Sequence, residues 1–286
     1  MMTSVTKLSR AMLSRAMPAS RRLVSTAAPA ANSATAFRSK LATRSRGVTM
    51  HFALTPSPVT SQAMASAGAD ALCIDMEHGP IDFKDVQAMI AAMKGTACLP
   101  VVRVPSIEPL SVKRSLDLGA EGIVFPLAQS AADVRRAVSS LRYPPLGERG
   151  FGPFIAHSCH DFDFVKAVAH YNSNPPVCCV LIETEEAVEN IEAIANVGGV
   201  DIFQIAQFDL STALGIPGQF DHPRFLEAER RVEAAVLSSG AGAALGAVAL
   251  SEERAQVLHA RGYRMVVGFD ILWLKSQIRT AQTWVE

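Results

Sequence analysis

Residues 180–223, VLIETEEAVENIEAIANVGGVDIFQIAQFDLSTALGIPGQFDHP, constrain the fold more than any other stretch. Two short runs, 177–182 and 201–206, have the near-continuous hydrophobicity of parallel strands buried on both faces. Between them Ala187, Val188, Ile191, Ile194 and Ala195 recur at helical spacing, and Gly198-Gly199 ends the helix. The stretch is therefore a βαβ unit. Each strand runs out into an acid, Glu183 directly after the first and Asp209 just past the second. Carboxyl ends of parallel strands converge on a ligand crevice, so this spacing can bring two carboxylates together around a cation. Local roles are equally open at this stage: Glu183 as a first-turn helix acid, Asp209 as the N-cap of a helix at 210–214.

The rest of the body repeats the alternation. Apolar runs at 49–54, 71–75, 101–104, 122–126, 244–249 and 265–268 complete a set of eight expected strands, with helical patterns at 59–67, 110–118, 131–141 and 162–170 among them. Eight strand–helix units without a linker predict an α/β fold, a single (β/α)8 TIM barrel over 36–286, preceded by a separate segment at 1–35.

Charge separates that segment from the body. Residues 1–46 hold nine Lys and Arg and no acid, leaving the remainder with 18 basic against 27 acidic residues. An acidic body argues against nucleic-acid binding, and no apolar run reaches the length of a membrane span. The basic, Ser- and Ala-rich head has the composition of a mitochondrial transit peptide, with Arg21-Arg22 marking a processing region; a basic tail on a cytoplasmic protein is the alternative. Of the five cysteines none form a CxxC pair, and Cys73, Cys178 and Cys179 lie in apolar strands, which suits buried thiols in a reducing compartment.

Three further blocks hold candidate chemistry. The strand at 71–75 ends in Ile74-Asp75-Met76-Glu77-His78-Gly79-Pro80, crowding ionisable groups where barrels place catalytic ones. His78 is the natural general base there at neutral pH. Arg103 closes an apolar strand, Val101-Val102-Arg103, where a cation is costly without an anion; it can grip a ligand carboxylate or a developing oxyanion, or pair across the barrel. Asp117 sits in a last helical turn, where the dipole disfavours an acid, so a compensating partner is expected.

These blocks together resemble the HpcH/HpaI aldolase family. The resemblance rests on Ile182-Glu183-Thr184, Asp209-Leu210-Ser211 with Leu214-Gly215-Ile216-Pro217-Gly218, the EHGP turn at 77–80, the VVR block, the LDxGA segment at Asp117 and the YPPxGxRG block at 143–150. It implies a divalent-metal-dependent lyase that releases pyruvate and an aldehyde from a 4-hydroxy-2-oxo acid. Glu183 and Asp209 would bind Mg²⁺ or Mn²⁺, whose preference for oxygen ligands they suit. Arg103 would stabilise the enolate and His78 would act as the base, its basicity supported by Asp117. Asp75 and Glu77 would lie just outside, while Leu181, Phe208 and Asp209 would face the substrate. Family members are homo-oligomers, trimers or hexamers, with exchanged C-terminal helices. The final helix, expected over 270–285, fits that assembly with its seam of Ile271, Leu274, Ile278, Ala281 and Val285 and a separate ridge of Trp273 and Trp284.

A Schiff-base mechanism is disfavoured because Lys84, Lys94, Lys113, Lys166 and Lys275 all fall on expected helices rather than strand ends. Two departures from the family pattern touch the pocket. Leu181 replaces a substrate-contacting Gln, and Ala206-Gln207 replaces a Gly-Pro turn. They keep three other readings open: a 2-oxo acid decarboxylase, a CoA-thioester lyase, and a non-catalytic metal-binding barrel.

Overall fold

The computed structural model of the chain describes residues 33–43, 46–152, 154–155 and 164–285. The expected transit segment with Arg21-Arg22, and Cys159, lie outside the described residues. Eight strands, β1 (Val48–Ala53), β2 (Ala71–Asp75), β3 (Leu99–Arg103), β4 (Gly122–Phe125), β5 (Val177–Ile182), β6 (Ile202–Ile205), β7 (Ala244–Val248) and β8 (Met265–Phe269), close into one barrel in sequence order. All pairs are parallel, including the closing β1–β8 pair. The (β/α)8 barrel is what the alternation of patterns requires.

The helices are α1 (Ser33–Ala42), α2 (Pro58–Ser66), α3 (Phe83–Met93), α4 (Pro109–Asp117), α5 (Ala131–Ser140), α6 (Phe164–Ser173), α7 (Glu185–Glu189), α8 (Ile191–Ala195), α9 (Gln207–Ala213), α10 (Pro223–Ser238), α11 (Glu252–Ala260) and α12 (Asp270–Gln282). Their starts follow from sequence: Ser57, Asp82, Ser130, Thr184 and Ser251 cap α2, α3, α5, α7 and α11 through side-chain oxygens. At the end of α4, Gly119 adopts φ 108°, a conformation costly for any residue with a Cβ, and turns the chain into β4.

Two apolar layers hold the barrel. One lies between sheet and helices, with Leu72, Ile74, Val102, Ile123, Phe203 and Leu245 among its buried members. The other fills the interior with Met50, Phe52, Cys73, Val101, Val124, Cys179, Leu181 and Ile202. Helix α1 belongs to the interior layer: Ala34, Phe37 and Leu41 are buried in it, and Arg38 and Lys40 pair with Asp201 and Asp70, each at 2.6 Å. Asp70 and Asp201 precede β2 and β6, so α1 stops the amino end of the barrel. The expected boundary between 35 and 36 therefore cuts through an element of the fold.

Two helices differ from expectation. The helix between β5 and β6 breaks at Asn190, whose Nδ2 donates to the Gln129 carbonyl at 2.9 Å, giving α7 and α8. In α12 the seam faces outward: Leu274 and Ile278 are exposed, while Trp273 turns inward and donates from Nε1 to Nδ1 of His51 at 3.1 Å.

Candidate active site at the carboxyl end of the barrel

Asp75 ends β2 fully buried, and its position organises the EHGP turn. Its Oδ1 accepts from the backbone N–H groups of Glu77 and His78 at 3.1 and 3.3 Å. Gly79 is required in that turn, since a Cβ there would stand 2.5 Å from the Asp75 carbonyl oxygen. The turn leaves the His78 side chain 57% exposed, with Nε2 3.9 Å from Oε2 of Glu77. An imidazole so placed is accessible from the mouth.

Asp75 and Arg103 are register partners at the ends of β2 and β3. Arg103 donates from Nε to Oδ1 at 2.8 Å and from Nη2 to Oδ2 at 2.5 Å, a fork-to-fork pair with both groups buried. Its Nη1 lies 3.1 Å from Oε2 of Glu77, and its guanidinium stacks 4.7 Å above the Phe52 ring. The cross-barrel pairing open in the sequence is thus present, and it fixes the guanidinium plane. The Nη1 edge is the one that faces the other acids.

Glu183 follows β5 and is buried. Leu127, after β4, takes a left-handed φ of 56° and aims its N–H at Oε1 of Glu183. A strained non-glycine residue at such a place is a device that holds a functional group. Burial pushes the Glu183 carboxyl up to about 7; the Leu127 hydrogen bond opposes this, and the charges of Glu77 and Asp209 add to it. Burial also raises Glu77, against the pull of Arg103 and His78, with Asp75 and Asp209 again adding. Glu77, Glu183 and Asp209 therefore share one electrostatic neighbourhood.

Asp209 lies exposed in the first turn of α9, where the helix dipole favours an acid, rather than at its N-cap. Ala206 caps α9 at φ −86°, so the turn does not need the glycine of the family pattern. Gln207 begins the helix, at the position that favours proline. Phe208 stands half-exposed on the rim, its ring 5.4 Å from that of Phe220. Leu181 is buried two residues before Glu183 and lines the same interior.

Do these residues fit a divalent cation? One sealed acceptor oxygen in the neighbouring loops, Oε1 of Gln207, has no hydrogen-bond partner, and Oε2 of Glu77 has only the ionic contact with Nη1 of Arg103 at 3.1 Å. With Glu183 electrostatically coupled to Glu77 and Asp209, these oxygen donors are of the kind that suits a hard cation and its water shell. Among the described residues no three His, Cys, Asp or Glu side chains gather closely enough to form a cage. The carboxylates of Glu183 and Asp209 are the side chains that would hold such a cation.

Asp117 is elsewhere. It ends α4, and Glu121, four residues on, donates its N–H to the carbonyl of Pro100 near the start of β3. That places Asp117 at the amino end of the barrel, about 17 Å (five strand residues) from the carboxyl ends. Its Oδ1 accepts from Nη2 of Arg149 at 3.2 Å, and Arg149 stacks on Tyr143 and Tyr171. The expected support of His78 by Asp117 is not made within one chain. The partner that offsets the unfavourable dipole is Arg149.

Residues 48–275 match the HpcH/HpaI aldolase/citrate lyase family. The chain belongs to that family. It is 37% identical over 170 residues to the 2-dehydro-3,6-dideoxy-6-sulfogluconate aldolase of Pseudomonas putida, covering 59% of this chain and 66% of that protein. It is 38% identical over 167 residues to the 5-keto-4-deoxy-D-glucarate aldolase of Salmonella paratyphi A, covering 58% and 64%. The matched stretch spans slightly less than two thirds of these relatives. An HpcH/HpaI aldolase/citrate lyase family protein from Burkholderia cenocepacia superposes with TM-score 0.80 at 33% identity, over 87% of this chain and 98% of that one.

Proposed function

We propose that this family member is a carbon–carbon lyase that cleaves a 4-hydroxy-2-oxo acid to pyruvate and an aldehyde. The observation behind this reading is the carboxylate pair Glu183 and Asp209, short of positive charge beside an Arg103 that is already locked in plane. Both curated relatives are named as aldolases of dehydro- or keto-deoxy sugar acids. Mg²⁺ or Mn²⁺, when bound by Glu183 and Asp209, would supply Lewis-acid polarisation of the 2-oxo group.

This chain's own residues do the rest. Asp75 holds the Arg103 guanidinium so that Nη1 meets negative charge developing on the substrate as the C3–C4 bond breaks. The electron pair of that bond passes to C3. His78, accessible beside Glu77, takes the proton of the 4-hydroxyl as the aldehyde carbonyl forms, and a proton delivered to C3 completes pyruvate. Phe208 and Leu181 give the pocket apolar walls. Lys84, Lys113, Lys166 and Lys275 lie on helices and Lys94 caps α3, which leaves none of these lysines on a strand end for a Schiff base.

The outward seam of α12, with Trp284 and Val285 also exposed, supports a homo-oligomer in which a second copy covers it. The composition of the head supports mitochondrial delivery.

Purified protein should release pyruvate from 4-hydroxy-2-oxo acids with Mn²⁺ or Mg²⁺ and lose this activity with a chelator. His78→Ala should slow that cleavage about a hundredfold or more while sparing decarboxylation of oxaloacetate, which needs no alcohol deprotonation. Trapping of a lysine adduct by borohydride and pyruvate would reject the mechanism, and equal loss of both reactions would reject the base.

A further inference from the structure

Apart from the Asp75–Arg103 pair and Glu183 at the strand ends, the described residues that line the interior are apolar except for one amide. Gln204, in the middle of β6, is 3% exposed and points inward with its neighbours Ile202 and Ala206. Its strand partner is Leu181, so the two side chains occupy the same level, one step below Glu183. Burying an amide among aliphatic groups costs free energy unless its polar atoms find partners.

Half of that requirement is met inside the protein. Oε1 of Gln204 accepts from the thiol of Cys179, with Sγ at 3.9 Å. Burial holds the Cys179 thiol far above its usual pKa, so it stays protonated and remains a donor. Cys179 pairs with Ile202, one level deeper than Gln204. The amide oxygen is therefore turned down and the nitrogen is the end left toward the mouth. Nε2 makes no hydrogen bond with the described residues, and it is not among the sealed unpaired atoms. It thus reaches accessible space. The amino end of the barrel is stopped by α1, so that space is the site above.

We propose that Gln204 is a substrate-positioning residue whose Nε2 donates to a carboxylate or keto oxygen of the 2-oxo acid, supplying from β6 the amide that residue 181 lacks on β5. The exchange moves the polar contact one strand around the barrel, by about 4.8 Å, toward Asp209. It leaves Leu181 as an apolar wall beneath Glu183. The pocket thereby keeps its hydrogen-bond donor but offers an apolar surface on the β5 side, which favours substrates with an apolar group there. This rests on the aldolase reading of the site.

The test uses the full chain loaded with Mn²⁺ and measures calorimetric binding of pyruvate and of oxalate, Mn²⁺ affinity and thermal stability. Gln204→Leu should weaken both ligands about ten- to a hundredfold, as loss of a buried hydrogen-bond donor does, with Mn²⁺ affinity unchanged and the protein no less stable. Leu181→Gln placed on Gln204→Leu should restore most of the binding. Because Gln204→Leu could overpack the interior, Gln204→Glu is the companion variant: it keeps the shape, replaces the donor with an acceptor, and should weaken both anions at least as much. Undiminished binding in either single variant, with wild type binding normally, overturns this inference alone. Failure of the wild type to bind either ligand overturns the aldolase reading and this inference with it.

Discussion

The two ends of the barrel handle charge in opposite ways. At the amino end the carboxylates of Asp70 and Asp201 are matched by Lys40, Arg46 and Arg38, and each also accepts a backbone N–H, from Thr49 and Cys178 respectively. At the carboxyl end Asp75, Glu77, Glu183 and Asp209 stand around Arg103 and the exposed His78, and burial, with the charge of Asp209 adding to it, raises the proton affinity of both Glu77 and Glu183. One end has its charge balanced by its own side chains; the other leaves negative charge for something else to balance. Since both ends are made from the same strands, the contrast is not a requirement of the fold. It separates the groups that hold the barrel together from those kept at a cost to stability.

Changing one side chain at each end tests that separation. Glu183→Gln should lower kcat/KM for pyruvate-releasing cleavage by about a thousandfold or more. The same change should raise the melting temperature of the metal-free protein at pH 8, because a buried carboxylate whose pKa lies above its unfolded value is destabilising once ionised. A fall in melting temperature would instead make Glu183 part of the frame. At the other end, Phe37→Ala should cost about 3–5 kcal/mol in urea unfolding. The folded fraction should keep its kcat/KM; a loss of turnover beyond the loss of folded protein would show that the ends are coupled. The smallest effect belongs to Asp117→Asn, which leaves Arg149 an acceptor but no charge partner. It should cost about 1–2 kcal/mol and leave the pH–rate profile of a monomeric enzyme preparation unmoved. A shift of that profile would instead couple Asp117 to the chemistry at the mouth.

How much of this was legible beforehand depends on which residues one asks about. All eight strands were readable to within two residues at either end, because runs such as Val177-Cys178-Cys179-Val180-Leu181-Ile182 are continuous and bounded by Pro, Gly or an acid. The grouping of Asp75, Glu77, Arg103, Glu183 and Asp209 was readable too, since each lies at or just past a strand terminus. Asp117 misled because a sequence shows that a residue ends a helix but not what other loops return to that end. Arg149, from the loop after α5, could be matched to it only in three dimensions. Helix α1 carries its signal, Ala34, Phe37 and Leu41 on one face, inside a composition that reads equally well as a transit segment. Gln204 escaped for a different reason. Within its own strand it is a single polar residue among apolar ones, and its meaning comes from standing level with Leu181 on the neighbouring strand.

Helix α1 also has a consequence for the order of events during synthesis. It is the earliest described segment to emerge, yet every surface it needs is made later: β1 and β3 with their apolar floor, Asp70, and finally Asp201. No ring exists for Phe37 and Leu41 to enter until β8 has joined β1, more than two hundred residues downstream. The first piece of the body to be translated is thus the last to dock, a long-range closure of the slow kind.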